Sequence, residues 1–206
     1  MLQPNKILVI RFSSLGDLIL TSPIFRELRR IFPGANLNLL TSVGFGDVLD
    51  NNPHLDRIIK HPRKENFEQL NQLIKVLQAE EFDLIYDAHR SMRSRWIVSR
   101  LTEFGMKRKP AVWKINKRTL NRKLLIHLGW NRLQQGLSQR EQWLLPLKQH
   151  APHGLDASTE LFPDQEDFDL IETLMSEHNL LPRGFVAIGP SASQPLKCWP
   201  LLHFTH

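Results

Sequence analysis

The stretch KILVIRFSSLGDLILTSPIFRELRRIF, residues 6–32, decides the fold of this chain. Its apolar start predicts a strand over 7–11, and the apolar spacing further on predicts a helix over 17–32, kinked or broken at Pro23. The polar turn 13–17 separates the two. A strand, a small-residue loop and a helix in this order build the ligand sites of open α/β sheets, with the helix N-terminus facing the ligand.

Asp17 is the unusual member of that turn. A carboxylate is poorly suited to gripping a phosphate, but it is able to take a proton from an incoming hydroxyl group. Serine and aspartate are also common where a helix begins, because serine caps the first turn and aspartate favours the helix dipole. The residues of the turn alone therefore leave catalysis and helix capping as equal alternatives.

The rest of the chain alternates between apolar runs and amphipathic runs. Further strands are predicted at 38–41, 57–60, 84–87, 109–112 and 185–188. Further helices are predicted at 65–80, 91–104, 117–128, 140–149 and, with Asp164 as its N-cap, up to 178. This alternation predicts an α/β fold in which helices cover both faces of a mostly parallel, Rossmann-like sheet.

Residues 149–156 are rich in His, Pro, Gly and Ala, and this change in composition predicts a linker. We therefore expect a complete first domain over 1–155 and a second unit over 156–206. One strand and one helix cannot bury a core, so the second unit is expected to be only the start of a domain.

Composition narrows the class of protein. The 206 residues are 41% hydrophobic and 23% charged, which is ordinary for a folded protein, and the single cysteine suits a reducing cytoplasm. No apolar run is long enough to cross a bilayer.

The net charge of +6 is concentrated between residues 89 and 140, where Glu103 is the only acid. Such a band attracts anions such as phosphorylated lipid, nucleic acid or an anionic membrane face, although a merely solvated basic surface is the plainer alternative.

Common cofactor motifs are absent from the sequence. It has no Gly-x-Gly-x-x-Gly, no phosphate loop ending in Gly-Lys-Ser/Thr and no zinc-type spacing. The run 167–169 (Asp-Phe-Asp) resembles a metal-binding Asp-x-Asp, but acids in a first helical turn explain it better.

Asp87 and His89 follow another strand. We expect them either to lie in the crevice or to act as a helix cap (Asp87) and a surface residue (His89). Ser193 and Lys197 follow the last predicted strand and suit a diphosphate, although Lys197 could equally be solvated.

Three segments taken together, 7–23, 82–94 and 189–200, resemble glycosyltransferase family 9, the heptosyltransferase family. The resemblance implies two facing Rossmann-type domains, the GT-B arrangement, of which this chain would hold the N-terminal half and the start of the second. It implies transfer of heptose from ADP-heptose to a sugar hydroxyl of the phosphorylated lipopolysaccharide inner core, with inversion and without a metal or other cofactor.

The resemblance also implies roles for individual residues. Asp17 matches the catalytic base. Donor-binding positions are matched by Ser14, Gly16, Ser193 and Lys197. Acceptor binding is expected from the start of the basic band, at Arg90 and Arg93, because the acceptor carries phosphates and sugar-acid carboxylates.

Members of this family are about half as long again, and the additional part supplies most donor contacts. We therefore expect this chain alone to be inactive. The resemblance also implies a cytoplasmic protein that contacts the inner membrane face at most peripherally. Two alternatives stay open. One is a basic module that binds acidic lipid or nucleic acid without chemistry, although no RNA-binding signature is present and nucleic acid is not expected. The other is a related transferase that uses a different nucleotide sugar.

Overall fold

A five-stranded parallel sheet with strand order β3-β2-β1-β4-β5 forms the centre of the protein. The computed structural model describes residues 2–103, 109–117, 119–132, 136–186, 189 and 198. The strands are β1 (Lys6–Ile10), β2 (Asn36–Ser42), β3 (Arg57–His61), β4 (Leu84–Asp87) and β5 (Ala111–Lys114). The predicted α/β class with a Rossmann-like parallel sheet is confirmed.

Helices follow the strands along the chain. They are α1 (Leu15–Ile19), α2 (Ser22–Ile31), α3 (Phe67–Ala79), α4 (Met92–Leu101), α5 (Thr119–Leu128), α6 (Gln139–Leu144) and α7 (Gln165–Glu177). Short 3-10 helices lie at Gly46–Leu49 and Leu145–His150.

Proline explains where three predicted boundaries differ from the structure. The predicted helix over 17–32 is two helices, α1 and α2, because Pro23 cannot donate the backbone hydrogen bond that would join them. Strand β5 begins at Ala111 rather than 109, since Pro110 has no N–H for the ladder. Helix α6 changes to a 3-10 helix near Pro146. The strand predicted at 185–188 is not seen at Phe185 and Val186, and 187–188 lie outside the described residues.

The central strand β1 packs on both faces, which explains its continuous apolar run. Ile7 and Val9 point to one side, into a core that also contains Phe25 of α2. Leu8 and Ile10 point to the other side, into a core filled by α3 and α4. The alternation of β1 side chains thus fixes helices on both faces of the sheet.

The chain divides into two compact units, Met1–Phe162 and Pro163–His206. The segment just after the predicted linker packs with the first unit, because Arg26 of α2 donates to Glu160 (2.7 Å) and to the carbonyl of Asp156 (2.9 Å). The boundary between the compact units therefore lies seven residues beyond the expected position of 155. In the second unit, Asp164 caps α7 as predicted, accepting from the N–H of Asp167 at 2.9 Å.

In the part of the chain that the structure describes, no helix has both the length and the apolar character needed to cross a bilayer.

Adjacent residues of α3 test the core assignment. Leu77 is fully buried and Val76 is 52% exposed. We expect Leu77→Ala to lower the free energy of unfolding by about 2–5 kcal/mol, because it leaves a cavity under the sheet. Val76→Ala should change it by less than about 0.5 kcal/mol. Urea denaturation followed by circular dichroism measures both, and equal losses would show that the burial pattern of α3 is wrong.

Candidate active site

The crevice between the carboxyl ends of β1 and β4 is where this topology places a ligand. From β1 the chain moves outward to β2 and β3, and it then returns to the other side of β1 with β4 and β5. Helices leave β1 and β4 on opposite sides at this point, which opens a crevice outside the strand ends. The loops that follow β1 and β4, residues 11–14 and 88–91, border that crevice.

Arg11 connects the two sides of the crevice. It directly follows β1, and its side chain is only 5% exposed. One guanidinium nitrogen donates to the carbonyl of Ala88, after β4, at 2.6 Å, and another pairs with Oδ2 of Asp17 at 2.6 Å. The guanidinium also lies 4.5 Å from the ring centroid of Trp143. Burial lowers the pKa of Arg11, and the carboxylate of Asp17 opposes that shift.

Asp17 lies in the first turn of α1, where Ser14 is the N-cap. Its Oδ2 atom takes every contact found among the described residues: Arg11, the Ser14 N–H (3.4 Å) and the Ser14 hydroxyl (3.3 Å). Oδ1 has no hydrogen-bond partner in that part of the chain, and the side chain is 41% exposed. The two alternatives for Asp17 are thus compatible, because one oxygen supports the helix start and the other remains available.

A pocket of about 230 Å³ opens next to this carboxylate. It is lined by Arg11, Asp17, Ile115, Lys117, Gln139 and Trp143. Burial and the nearby charge of Arg11 lower the pKa of Lys117, which has no hydrogen-bond or ion-pair partner in the described ranges. The same pocket is therefore lined by a carboxylate and by an unpaired cation.

A buried hydrogen bond positions Trp143 in this pocket. The hydroxyl of Tyr86, on β4, donates to the backbone carbonyl of Trp143. Burial raises the pKa of Tyr86, so this hydroxyl keeps its proton and remains a donor. Ser138 caps α6 in front of Trp143 and accepts from the N–H of Glu141 at 3.3 Å.

A larger pocket, of about 570 Å³, lies at the opposite end of the sheet. It is lined by residues near the start of β1 and the end of α2, among them Leu2, Phe32 and His150. None of the predicted site residues borders it, and its lining contains no carboxylate.

Asp87 acts as the cap in this structure. Its Oδ1 accepts from the N–H groups of His89 (3.0 Å) and Arg90 (2.7 Å), and its Oδ2 accepts from the hydroxyl of Ser94 (3.2 Å). The side chain is buried, so both oxygens are used for shaping the loop between β4 and α4. Of the two alternatives for Asp87, the geometry favours capping.

His89 is not on the surface. Its ring meets Phe12 edge to face at 5.5 Å, and its Nδ1 atom is buried without a partner in the described ranges. Burial and, to a smaller extent, the charges of Arg11 and Lys117 lower the pKa of His89 to about 4. A neutral imidazole therefore lines the back of the crevice at physiological pH.

The two predicted acceptor-binding arginines lie beside the crevice and have partners. Arg90 donates to the carbonyl of Ile115 at 3.1 Å. Arg93 pairs with Glu65 at 2.5 Å and stacks 4.0 Å over the ring of Phe12. The assignment of acceptor binding to them stays a prediction.

The predicted donor residues are only partly described. Ser14 and Gly16 lie in the Asp17 turn, whereas Ser193 and Lys197 lie outside the described residues. A Cβ atom added at Gly16 would meet nothing within 4 Å, so the fold of the described residues does not itself require glycine there.

Sequence reasoning missed Arg11, Lys117 and Trp143 as members of the site. A charged residue that ends a buried strand was a usable signal for Arg11, because an isolated buried charge is costly and needs partners. Lys117 was noted only within the basic band. Trp143 carried no local signal, since its place depends on packing between α6 and β4.

A family model for "Glycosyltransferase family 9 (heptosyltransferase)" matches residues 70–206, which is more than half of the chain. The chain belongs to glycosyltransferase family 9. The matched range includes the loop after β4 and α6 with Trp143, but it does not reach the turn that carries Asp17.

One curated relative matches over a longer stretch than the family model does. Lipopolysaccharide heptosyltransferase 3 of Escherichia coli is 27% identical over 213 residues, covering 92% of this chain and 56% of that protein. The chain thus spans little more than half the length of this curated relative.

Solved structures show the same fold. A glycosyl transferase family 9 protein from Veillonella parvula superposes with a TM-score of 0.72 at 20% identity, covering 100% of this chain and 59% of that one. E. coli heptosyltransferase WaaC, solved with ADP-2-deoxy-2-fluoro heptose, gives a TM-score of 0.56 at 20% identity, covering 97% and 63%.

The bridge made by Arg11 gives a stability prediction. Arg11→Met keeps an unbranched stem but removes the guanidinium and its hydrogen bonds to Ala88 and Asp17, so we expect a loss of about 3 kcal/mol in the free energy of unfolding. Arg57→Met is the matched control, because Arg57 is 52% exposed and pairs with Glu80. Arg57→Met should lower the free energy of unfolding by no more than about 1 kcal/mol. Equal costs in urea denaturation would contradict the bridging role.

The neutral imidazole of His89 gives a pH prediction. The unfolded chain takes up its proton near pH 6.5 and the folded chain only near pH 4. The stability that a neutral His89 contributes is therefore fully present above pH 6.5 and is lost as the pH falls from 6.5 towards 4. We expect His89→Gln to reduce the loss of stability between pH 7 and pH 4.5, as measured by urea denaturation at each pH.

Exposed His153 provides the control for that measurement. His153→Gln should leave the pH dependence as it is in the unmodified chain. An unchanged acid loss in His89→Gln would mean that His89 titrates normally in the folded protein.

Proposed function

We propose that the crevice at the ends of β1 and β4 is the acceptor side of a heptosyltransferase active site, with Asp17 as the general base. The observation that carries the proposal is the asymmetric use of the Asp17 carboxylate. Arg11 and Ser14 hold Oδ2, while Oδ1 has no partner in the described part of the chain, and the partly exposed side chain lines a pocket. Family membership supplies the reaction class.

The chemistry is a single displacement. The oxygen of an acceptor sugar hydroxyl attacks the anomeric carbon of the donor sugar, Asp17 takes the hydroxyl proton, and the nucleoside diphosphate leaves from the opposite face. One displacement inverts the configuration at the anomeric carbon. The Arg11 pair keeps Asp17 in place without occupying the oxygen that receives the proton.

ADP-heptose is the proposed donor. Support comes from the similarity in fold to heptosyltransferase WaaC, which was solved with an ADP-heptose analogue. Ser14 and Gly16 would contact the donor from the Asp17 turn, and Ser193 and Lys197 would stabilise the negative charge that builds on the leaving diphosphate. The second compact unit, Pro163–His206, would begin the domain that binds this donor.

A phosphorylated inner-core sugar of lipopolysaccharide is the proposed acceptor. The relative from E. coli is named for this lipid, and the pocket beside Asp17 contains an unpaired cation, Lys117. Arg90 and Arg93 border the same crevice and would add positive potential there. An acceptor of this kind is anchored in a membrane, so the protein would work at the cytoplasmic face of the inner membrane in peripheral contact with it.

The test separates binding from transfer. We expect the 206-residue chain to bind a heptose-deficient core oligosaccharide in isothermal titration calorimetry, and Asp17→Asn to bind it within about threefold of the unmodified chain, because the amide keeps the shape of the carboxylate. We expect neither to consume ADP-heptose, since each spans little more than half of its relative.

Transfer itself is measured in a chimaera that continues this chain with the part of E. coli heptosyltransferase 3 that the match does not cover. Asp17→Asn should lower kcat of an active chimaera by about 10²–10⁴-fold, the usual contribution of a general base, with little change in KM for the acceptor. Full activity in Asp17→Asn, or loss of acceptor binding without loss of kcat, would contradict the assigned role.

A further inference from the structure

Three large apolar side chains form an exposed surface at the beginnings of α3 and α4. Phe67 is 65% exposed, Met92 is 89% exposed and Trp96 is 41% exposed. The rings of Phe67 and Trp96 lie 6.2 Å apart, and Met92 is one helical turn before Trp96 on the same face of α4. We call these three residues the α3–α4 patch. Single exposed apolar residues are common, but a contiguous group marks an interaction surface.

Exposed cations lie close to the α3–α4 patch along the chain. Arg63 and Lys64 lie in the loop before α3, and Arg95 follows Met92 by three residues on α4. This loop is fixed to the start of α4, because Arg93 donates to the carbonyl of Pro62 at 3.0 Å. The guanidinium of Arg63 lies 5.9 Å from the ring centroid of Phe45, and Arg95 borders a pocket with Asp87 and Lys114.

The acids near the α3–α4 patch do not cancel this charge. Glu65 is 8% exposed and pairs with Arg93 and His61. Glu68, in the first turn of α3, is exposed. Arg95 and Lys64 form no ion pair within the described ranges, so uncompensated positive charge remains near the starts of α3 and α4.

The patch lies at the same edge of the sheet as the Asp17 pocket. Both helices follow parallel strands, β3 and β4, and therefore begin at the carboxyl edge. They run side by side in the same direction, as Gln78 near the end of α3 donates to the carbonyl of Arg100 near the end of α4 at 2.9 Å. A flat surface that touched Phe67 and Met92 would thus lie beside the crevice.

We propose that the α3–α4 patch binds the surface of an anionic phospholipid bilayer. Aromatic side chains and methionine would enter the boundary between headgroups and acyl chains, and the neighbouring cations would contact anionic headgroups. The biological meaning rests on the proposed function, because such binding would hold the crevice over a lipid-anchored acceptor.

The chemistry of the patch favours a bilayer over a single-stranded nucleic acid. Bases stack on exposed ring faces. The most exposed member here is Met92, which has no ring, and the guanidinium of Arg100 already lies 5.6 Å from the ring centroid of Trp96. An exposed apolar group with cations on the neighbouring loop and helix matches the layering of a bilayer surface.

Sedimentation with vesicles tests the proposal on the 206-residue protein. We expect binding to vesicles of phosphatidylcholine and phosphatidylglycerol in equal parts, weak binding to phosphatidylcholine alone, and release by salt. Met92→Asp should weaken binding to the mixed vesicles by about tenfold or more, because it puts a carboxylate into the apolar centre. Met92 makes few contacts, so the variant should fold like the unmodified protein.

Ile126→Asp is the matched control. Ile126 is 75% exposed on α5, within the basic band, and the substitution changes the net charge by the same amount. It should weaken vesicle binding by no more than about threefold. A second variant, Arg63→Gln with Lys64→Gln, should reduce both the affinity and its dependence on salt, without altering the apolar centre.

Three results would overturn the proposal. They are no binding to the mixed vesicles, an equal loss in Met92→Asp and Ile126→Asp, and release of vesicle-bound protein by a single-stranded oligonucleotide that itself binds through Met92 and Arg95. The assay contains neither donor nor acceptor. A failure of heptosyl transfer therefore leaves the vesicle result intact, and a failure of vesicle binding leaves the assignment of Asp17 intact.

Discussion

The shape of the candidate active site depends on the buried guanidinium of Arg11. The guanidinium sits where β1 ends, and it joins the carbonyl of Ala88 after β4 to the carboxylate of Asp17 in α1. A buried charge is stable only when its hydrogen-bonding groups are satisfied. The partners of Arg11 therefore cannot move independently, and the crevice between two strands acquires a fixed shape. Trp143, stacked over the same guanidinium, brings α6 into that arrangement.

This constraint gives each half of the Asp17 carboxylate a separate role. Oδ2 is held by Arg11 and Ser14, and Oδ1 has no partner among the described residues. A side chain that has to accept a proton at a defined position benefits from such an anchor, since reach decides whether a base works. The same framework places Lys117 nearby without a partner, which favours an anionic group in the pocket. The proposed chemistry therefore depends on Asp17 as the base and on Lys117 as the cation that would bind an anionic group.

Local signals in the sequence were enough to predict the sheet and to single out Asp17 as the candidate base. Apolar runs and helical spacing located all five strands of the sheet within a few residues, and the turn after β1 pointed to Asp17 because topology alone places that turn at a ligand site. The long-range contacts that form the site could not be predicted from the sequence. Arg11 and Ala88 are 77 positions apart, and only the pairing of β1 with β4 brings them together. The same holds for the hydroxyl of Tyr86 and the carbonyl of Trp143, which are 57 positions apart.

A crystal structure of this chain with a heptose-deficient core oligosaccharide would test the central claim most directly. The account predicts that the reacting sugar hydroxyl lies about 3 Å from Oδ1 of Asp17. It also predicts that Oδ2 stays paired with Arg11 and that an anionic group of the sugar lies against Lys117. An oligosaccharide bound in the pocket formed by Leu2, Phe32 and His150, or one bound in the crevice with no hydroxyl near Asp17, would contradict it.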